Sequence, residues 1–316
     1  MSPDYESLFS SFLQQAAEAA GTIARGYFRQ NIPVDNKQDR SPVTQADREI
    51  EARLREMIAK TFPGHGMIGE EYGCENEGVE FVWCLDPIDG TKSFITGRPL
   101  FGTIVGLLHN GQPVAGLIDQ PFTRERWIGI AGRPSTHNGV PIHVAPPRKL
   151  DDGRLYTGSL DMFEGDPFAA YLRLCRTARL AQYSCDCYAY GLLAMGWCDV
   201  VVERGLKVYD IAGVIPIIVG AGGVVLDWQG RLFSMAHFTG ELVAASSWEL
   251  ALEVVAICAT GGYRRLDRMD IRLSIIEQTL GNLYALSGSD RETLAALVRR
   301  IERIERRLEL QEDMHD

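Results

Sequence analysis

The residues from Phe81 to Ile95, Phe-Val-Trp-Cys-Leu-Asp-Pro-Ile-Asp-Gly-Thr-Lys-Ser-Phe-Ile, constrain the chain more than any other stretch. An apolar run ends in two carboxylates three residues apart, Asp86 and Asp89, with Pro87 between them; Gly90, Thr91 and a new apolar segment follow. This pattern predicts a buried strand, a tight turn and a helix start. Open α/β sheets bind their ligands outside the carboxyl ends of strands, where this pattern sets its two acids. Asp86 and Asp89 offer hard oxygen ligands to divalent cations, the Ile88 carbonyl offers a third, and the amides of Gly90 and Thr91 face an anion. Metal and phosphate together are the chemistry implied. Taken alone, Asp-Pro-x-Asp-Gly is also an ordinary polar turn with an aspartate helix cap.

The chain has 316 residues, enough for a large core and for two lobes rather than one. A formal net charge of −10 argues against nonspecific binding to nucleic acid or anionic membrane. It does not exclude a small phosphorylated metabolite, because bound cations reverse the local sign of a site. No apolar run approaches the ~20 residues of a membrane span, and the acidic start Met1-Ser2-Pro3-Asp4 lacks the basic and apolar regions of a signal peptide. Seven cysteines, an odd number with no Cys-x-x-Cys pair, read as reduced and mostly buried thiols. The expectation is a cytoplasmic protein. The six histidines have no metal-ligand or triad spacing, so nucleophilic catalysis has no support.

In chain order, Tyr5 to Phe28 carries Leu8, Phe9, Phe12, Leu13, Ala16, Ala20, Ile23 and Ala24 at helical spacing, which predicts a long amphipathic helix. A second helix follows Ser41-Pro42-Val43-Thr44, with Asp47 in its first turn, where an acid favours a helix start. Met67 to Tyr72 is a short apolar strand ending in Glu70 and Glu71, which read alone are a pair of loop acids. Gly102 to His109 and Pro113 to Asp119, joined through Asn110-Gly111, predict a hairpin that Arg126 to Ala131 extends into an antiparallel meander. The turn-rich segment from Gly132 to Pro147 marks the lobe boundary, giving lobes at 1–140 and 141–260. In the second lobe, strands are expected at Arg154 to Gly158 and Asp199 to Glu203, and a helix near Pro167 to Arg176. Asp210, in Lys207-Val208-Tyr209-Asp210-Ile211-Ala212, is a further candidate ligand or a helix N-cap.

With Gly69-Glu70-Glu71, Asp86-Pro87-Ile88-Asp89-Gly90-Thr91 and Tyr209-Asp210-Ile211-Ala212 in this order, the chain resembles the inositol monophosphatase superfamily of metal-dependent phosphatases over its first four fifths. The third motif departs from the family's Trp-Asp-x-Ala by placing Tyr209 at the tryptophan, a ring expected to serve packing. The resemblance implies a layered αβαβα sandwich, with an α+β N-terminal lobe and an α/β C-terminal lobe meeting at the site. It implies that Glu70, Asp86, Ile88, Asp89 and Asp210 hold roughly two or three Mg²⁺ ions. Glu70 and Thr91 would orient the attacking water, Asp47 would contact Thr91, and the amides of Gly90 and Thr91 would steady the phosphoryl oxygens.

Cys185-Asp186-Cys187-Tyr188-Ala189-Tyr190 resembles the histidinol-phosphatase branch, where inositol phosphatases carry small uncharged residues in place of this aspartate. On that reading the substrate is L-histidinol phosphate, and Asp186 and Glu203 receive its cationic amine or imidazole. Inositol phosphate and other small monoesters are the alternative substrates. A catalytically idle scaffold is a third reading, and intact acids at every core position count against it.

Beyond Gly261-Gly262 the family pattern ends. Residues 261–316 are predicted to be a helical extension, in which Leu294, Leu297, Ile301, Ile304 and Leu308 complete two heptads. The stripe fits a helical hairpin or a seam between subunits of a homodimer or higher oligomer.

Overall fold

The structure is a computed structural model that describes residues 3–31, 33–36 and 42–259. The predictions for residues 261–316 lie outside the described residues. Helix α1 (Pro3–Tyr27) buries Phe9, Phe12, Leu13, Ala16, Ala17, Ala20 and Ala24, one helical face, while Leu8 lies off that stripe and is 44% exposed. Strands β1 (Val34–Asn36) and β2 (Pro42–Thr44) pair antiparallel and lead into α2 (Gln45–Thr61), whose Ile50, Leu54 and Ile58 are buried.

The chain then builds β3 (Gly66–Gly69), β4 (Gly73–Glu75), β5 (Phe81–Asp89), the short α3 (Thr91–Ile95), β6 (Gly102–His109), β7 (Gln112–Gln120), β8 (Glu125–Ile130), β9 (Thr136–His137) and β10 (Val140–Pro141). These strands form one sheet in the order β10-β9-β8-β7-β6-β5-β3-β4. The β6-β7-β8 meander is as the alternation predicts, and its first turn has Asn110 and Gly111 both at positive φ, 49° and 76°, as a tight hairpin requires. The β5–β3 pair is parallel.

After the turn-rich segment come β11 (Arg154–Thr157), α4 (Asp166–Thr177), β12 (Leu180–Tyr183), α5 (Asp186–Ala194), β13 (Val200–Glu203), α6 (Val208–Ile211), α7 (Val214–Gly220), β14 (Val224–Leu226), β15 (Leu242–Ala245) and α8 (Trp248–Ala259). The second sheet has the order β12-β11-β13-β15-β14.

Alternation along the strands decides the layering. Trp83, Leu85, Val105, Leu107, Ala115 and Leu117 point from the first sheet into a core shared with α1 and α2. Ile104, Ile118 and Trp127 point the other way, against α5 and α7, which also receive Val201, Val225 and Ala244 of the second sheet. Val200 and Val202 face a further core with α4 and α8. The result is the layered α/β sandwich that the family resemblance implies.

One contact between layers depends on missing side chains. Gly106, Gly116 and Gly129 are cross-strand neighbours on β6, β7 and β8. A methyl at Gly106 would sit 2.5 Å from the Gly213 nitrogen, one at Gly116 would sit 1.9 Å from the Gly213 carbonyl oxygen, and one at Gly129 would sit 2.4 Å from the Ile217 nitrogen. This bare stripe lets the start of α7 lie directly on the first sheet, which brings α6, and with it Asp210, to the end of β5 near Asp86.

Candidate active site

Residues three apart on a regular strand point to opposite faces. Asp86 and Asp89 do not, because Asp86 is opposite Ile104 and Asp89 opposite Gly102, so that Pro87 and Ile88 share the single position of Thr103. This extra residue is a bulge that returns both carboxylates to one side. Buried Thr103 secures it by donating its Oγ1 hydrogen to the Pro87 carbonyl at 2.8 Å. The strand therefore continues through the expected turn to Asp89, and the break comes at Gly90, whose φ of 82° suits glycine and opens α3.

Glu70 reaches Asp86 through the parallel pairing of β3 with β5, its amide donating to the Leu85 carbonyl at 3.1 Å. Asp210 comes from α6, where its Oδ2 accepts from the Lys207 amide at 2.7 Å. Tyr209, in the tryptophan position of the third motif, packs beside Ile68, Val82, Cys84 and Leu108. Burial and the nearby charges of Glu70, Asp89 and Asp210 hold the Asp86 carboxyl well above the ordinary carboxylate range. Burial, followed by Asp186, Asp210 and Glu203, does the same to Asp89.

Like charges gathered this way are unfavourable without a cation among them. Among the described residues no three His, Cys, Asp or Glu side chains form a closed ligand set. The closeness of Glu70, Asp89 and Asp210 to Asp86 is the stronger sign, since carboxylates change rotamer around an ion. Asp86 Oδ1 is also buried without a hydrogen-bond partner. Carboxylates and a backbone carbonyl are the donors that a hard divalent cation takes, so the residues fit Mg²⁺.

On the other side of Asp89, its Oδ2 accepts from the Cys187 amide at 2.5 Å, which ties the start of α5 to the first sheet. Asp186, the first residue of α5, has the left-handed φ of 46°. Glu203 ends β13 and is almost wholly buried, its Oε2 accepting from the Tyr190 hydroxyl at 2.6 Å and its Oε1 set against the Gly158 backbone. Burial pushes the Glu203 carboxyl up to about 7, and the Asp186 charge adds to the effect. A methyl at Gly158 would lie 2.7 Å from Glu203 Oε1 and 3.7 Å from Asp186 Oδ1, so both oxygens face the bare Gly158.

Residues 6–260 match the sequence profile of the inositol monophosphatase family. The chain belongs to the inositol monophosphatase family. It is 46% identical over 227 residues to the bifunctional phosphatase IMPL2, chloroplastic, of Arabidopsis thaliana, an alignment that spans 71% of this chain and 66% of that protein. It is 32% identical over 249 residues to a histidinol-phosphatase of Chlorobaculum parvum, covering 78% of this chain and 95% of that one. The solved structure of an inositol monophosphatase from Zymomonas mobilis matches with a TM-score of 0.74 at 38% identity, over 82% of this chain and 99% of that one. Inositol monophosphatase family members are phosphatases acting on small phosphorylated substrates. No helix among the described residues is long and apolar enough to cross a membrane.

Two details of this family member differ from expectation. Asp47 makes no hydrogen bond to Thr91: its Oδ2 accepts from the amide and the hydroxyl of Thr44, at 2.8 and 2.6 Å, in a capping box that opens α2. The Thr91 hydroxyl instead donates to the Ile88 carbonyl at 3.2 Å, so the chain end of the motif closes on itself. Asp47 keeps a buried, unpartnered Oδ1 and feels the charge of Glu70, which leaves it beside the acids but not on the threonine.

Sequence reasoning also missed Glu51, fully buried one turn after Asp47. Its carboxylate accepts from the amides of Glu71 at 2.6 Å and Tyr72 at 3.1 Å and from Arg55 Nε at 2.8 Å, so α2 holds the turn that carries Glu70. An acid at the edge of a buried helical stripe, between Ile50 and Leu54, was the available signal. Glu51→Ala is expected to cost about 3–5 kcal/mol in urea unfolding, because Arg55 and two amides lose their buried partner. A loss below about 1 kcal/mol would contradict this role.

Proposed function

We propose that this phosphatase hydrolyses L-histidinol phosphate to L-histidinol and phosphate. The observation that carries the reading is the pair of carboxylates from α5 and β13, Asp186 and Glu203, whose oxygens face Gly158 beside Asp89. Two buried acids close together favour a cation over a neutral polyol, because an ammonium or imidazolium relieves their repulsion through charge-assisted hydrogen bonds. The relative from Chlorobaculum parvum that is named a histidinol-phosphatase supports the same reading.

Glu70, Asp86, Asp89, Asp210 and the Ile88 carbonyl would hold Mg²⁺. When bound, the ions supply positive charge to the phosphoryl oxygens and make water easier to deprotonate. The amides of Gly90 and Thr91, at the start of α3, hold the phosphate in place. Glu70 orients water on the side of phosphorus away from the ester oxygen. Water attacks in line, its oxygen stays on phosphorus as the bond from phosphorus to the ester oxygen breaks, and the proton that water gives up ends on the departing alkoxide, which leaves as L-histidinol. Seven unpaired cysteines support a reducing, cytosolic setting, and the heptad-spaced tail supports homo-oligomeric assembly, which light scattering measures.

The test compares kcat/KM for L-histidinol phosphate, inositol 1-phosphate and a neutral-alcohol phosphate in Mg²⁺. Wild type is expected to prefer L-histidinol phosphate, and Asp186→Asn to lower that rate roughly 30-fold or more while sparing the neutral ester. A wild-type preference for inositol 1-phosphate would favour the second reading, which the 38% identity to the Zymomonas mobilis inositol monophosphatase supports.

A further inference from the structure

Asp186 needs to be held. It follows Ser184, whose φ is 59°, and is itself at 46°, two non-glycine residues in the left-handed region within one short bend. The bend is fastened by its backbone, with the Ser184 amide donating to Gly158 O at 2.7 Å and Arg98 Nη2 donating to Ser184 O at 3.2 Å. Neither contact fixes the direction of the Asp186 carboxylate. Among the described residues, its one hydrogen-bond donor is Ser93, whose Oγ gives a hydrogen to Asp186 Oδ2 at 2.9 Å.

Ser93 is buried at 2% exposure and lies on α3, the helix opened by Gly90 and Thr91. The same Asp186 oxygen is seated against Gly90, where a methyl would come within 2.6 Å of it. One turn of chain therefore carries both the amides proposed to hold the phosphate and the hydroxyl that seats the Asp186 carboxylate. Asp186 Oδ2 is committed to that turn, and Oδ1 is left facing Gly158.

Resting on the histidinol-phosphatase reading, we infer that Ser93 is a positioning residue for specificity. It ties Asp186 to the phosphate-holding turn so that Oδ1 meets an ammonium close to the phosphate ester. In L-histidinol phosphate the ammonium is on the carbon adjacent to the one that bears the ester, whereas the imidazole lies further along the molecule. The tether therefore assigns the ammonium to Asp186 and leaves the imidazole to Glu203. The class of ester selected is a phosphate with an amine on the neighbouring carbon.

The experiment measures kcat/KM for purified full-length wild type, Ser93→Ala and Ser93→Thr in Mg²⁺. The substrates are L-histidinol phosphate and its deamino analogue, 3-(imidazol-4-yl)propyl phosphate. Ser93→Ala is expected to lose about tenfold on L-histidinol phosphate and little on the analogue, since a hydrogen bond to a charged group has been removed. Ser93→Thr, which keeps the hydroxyl, is expected to recover most of the loss. Equal losses on both substrates would assign Ser93 a merely structural role and overturn the inference, as would unchanged discrimination in Ser93→Ala. A wild type that prefers inositol 1-phosphate to L-histidinol phosphate would instead overturn the functional reading on which the inference rests.

Discussion

Asp86→Asn is expected to remove phosphate release from L-histidinol phosphate by roughly a thousandfold or more, the scale on which preorganised charge stabilisation is lost. The carboxylate lies among Glu70, Asp89 and Asp210, and its Oδ1 has no protein partner to satisfy it. Burial and these neighbours hold its pKa above the unfolded value, so keeping it ionised at neutral pH opposes folding, and the neutral amide removes that cost. The variant is therefore expected to melt in EDTA no lower than wild type while turning over almost nothing in Mg²⁺. Near-normal turnover would rule out Asp86 as a ligand. Inactivity with an unfolded circular-dichroism spectrum would assign it a structural role.

Gly116→Ala is the second large effect, although this position touches no acid of the site. The added methyl would meet the Gly213 carbonyl oxygen at 1.9 Å, and both partners are backbone, so neither can rotate away. The start of α7 has to lift from the sheet, and α6 with Asp210 moves with it. A stability loss of about 1–3 kcal/mol or more is expected from such overpacking, with kcat falling at least about tenfold in the protein that remains folded. Gly26→Ala on α1 is the control, because nothing lies within 4 Å of its methyl and the change favours the helix. Equal stability and turnover in the two variants would show that the layers adjust independently.

Much of the site was legible because its chemistry lies in short runs. The acids of 86–89 sit together, and the Asn110-Gly111 turn declares its hairpin through the residues that tolerate positive φ. What was not legible is set by pairing. The bulge that returns Asp86 and Asp89 to one side exists only in the register of β5 against β6. The glycine stripe appears only when Gly106, Gly116 and Gly129 are aligned across three strands, since in sequence they are isolated glycines. The hydrogen bonds of Asp47 go to Thr44 and not to Thr91, because a local partner satisfies its carboxylate first. Leu8 matched the helical period, yet it is at the margin of the α1 stripe and not on the sheet.

The acids that face Gly158 arrive on α5 and β13, whereas Asp86 and Asp89 arrive on β5 and Glu70 directly after β3. On the proposed reading, the carboxylates that select the ester lie between residues 184 and 203 and are reached by Ser93 from the cleavage motif, whereas the metal acids lie outside that segment, Glu70, Asp86 and Asp89 before it and Asp210 after it. A chimaera that replaces residues 184–203 with the matching segment of a relative that takes a different alcohol is expected to exchange substrate preference and leave the metal requirement as it was. Lineages could accordingly diverge in diet while inheriting one unaltered phosphorus chemistry.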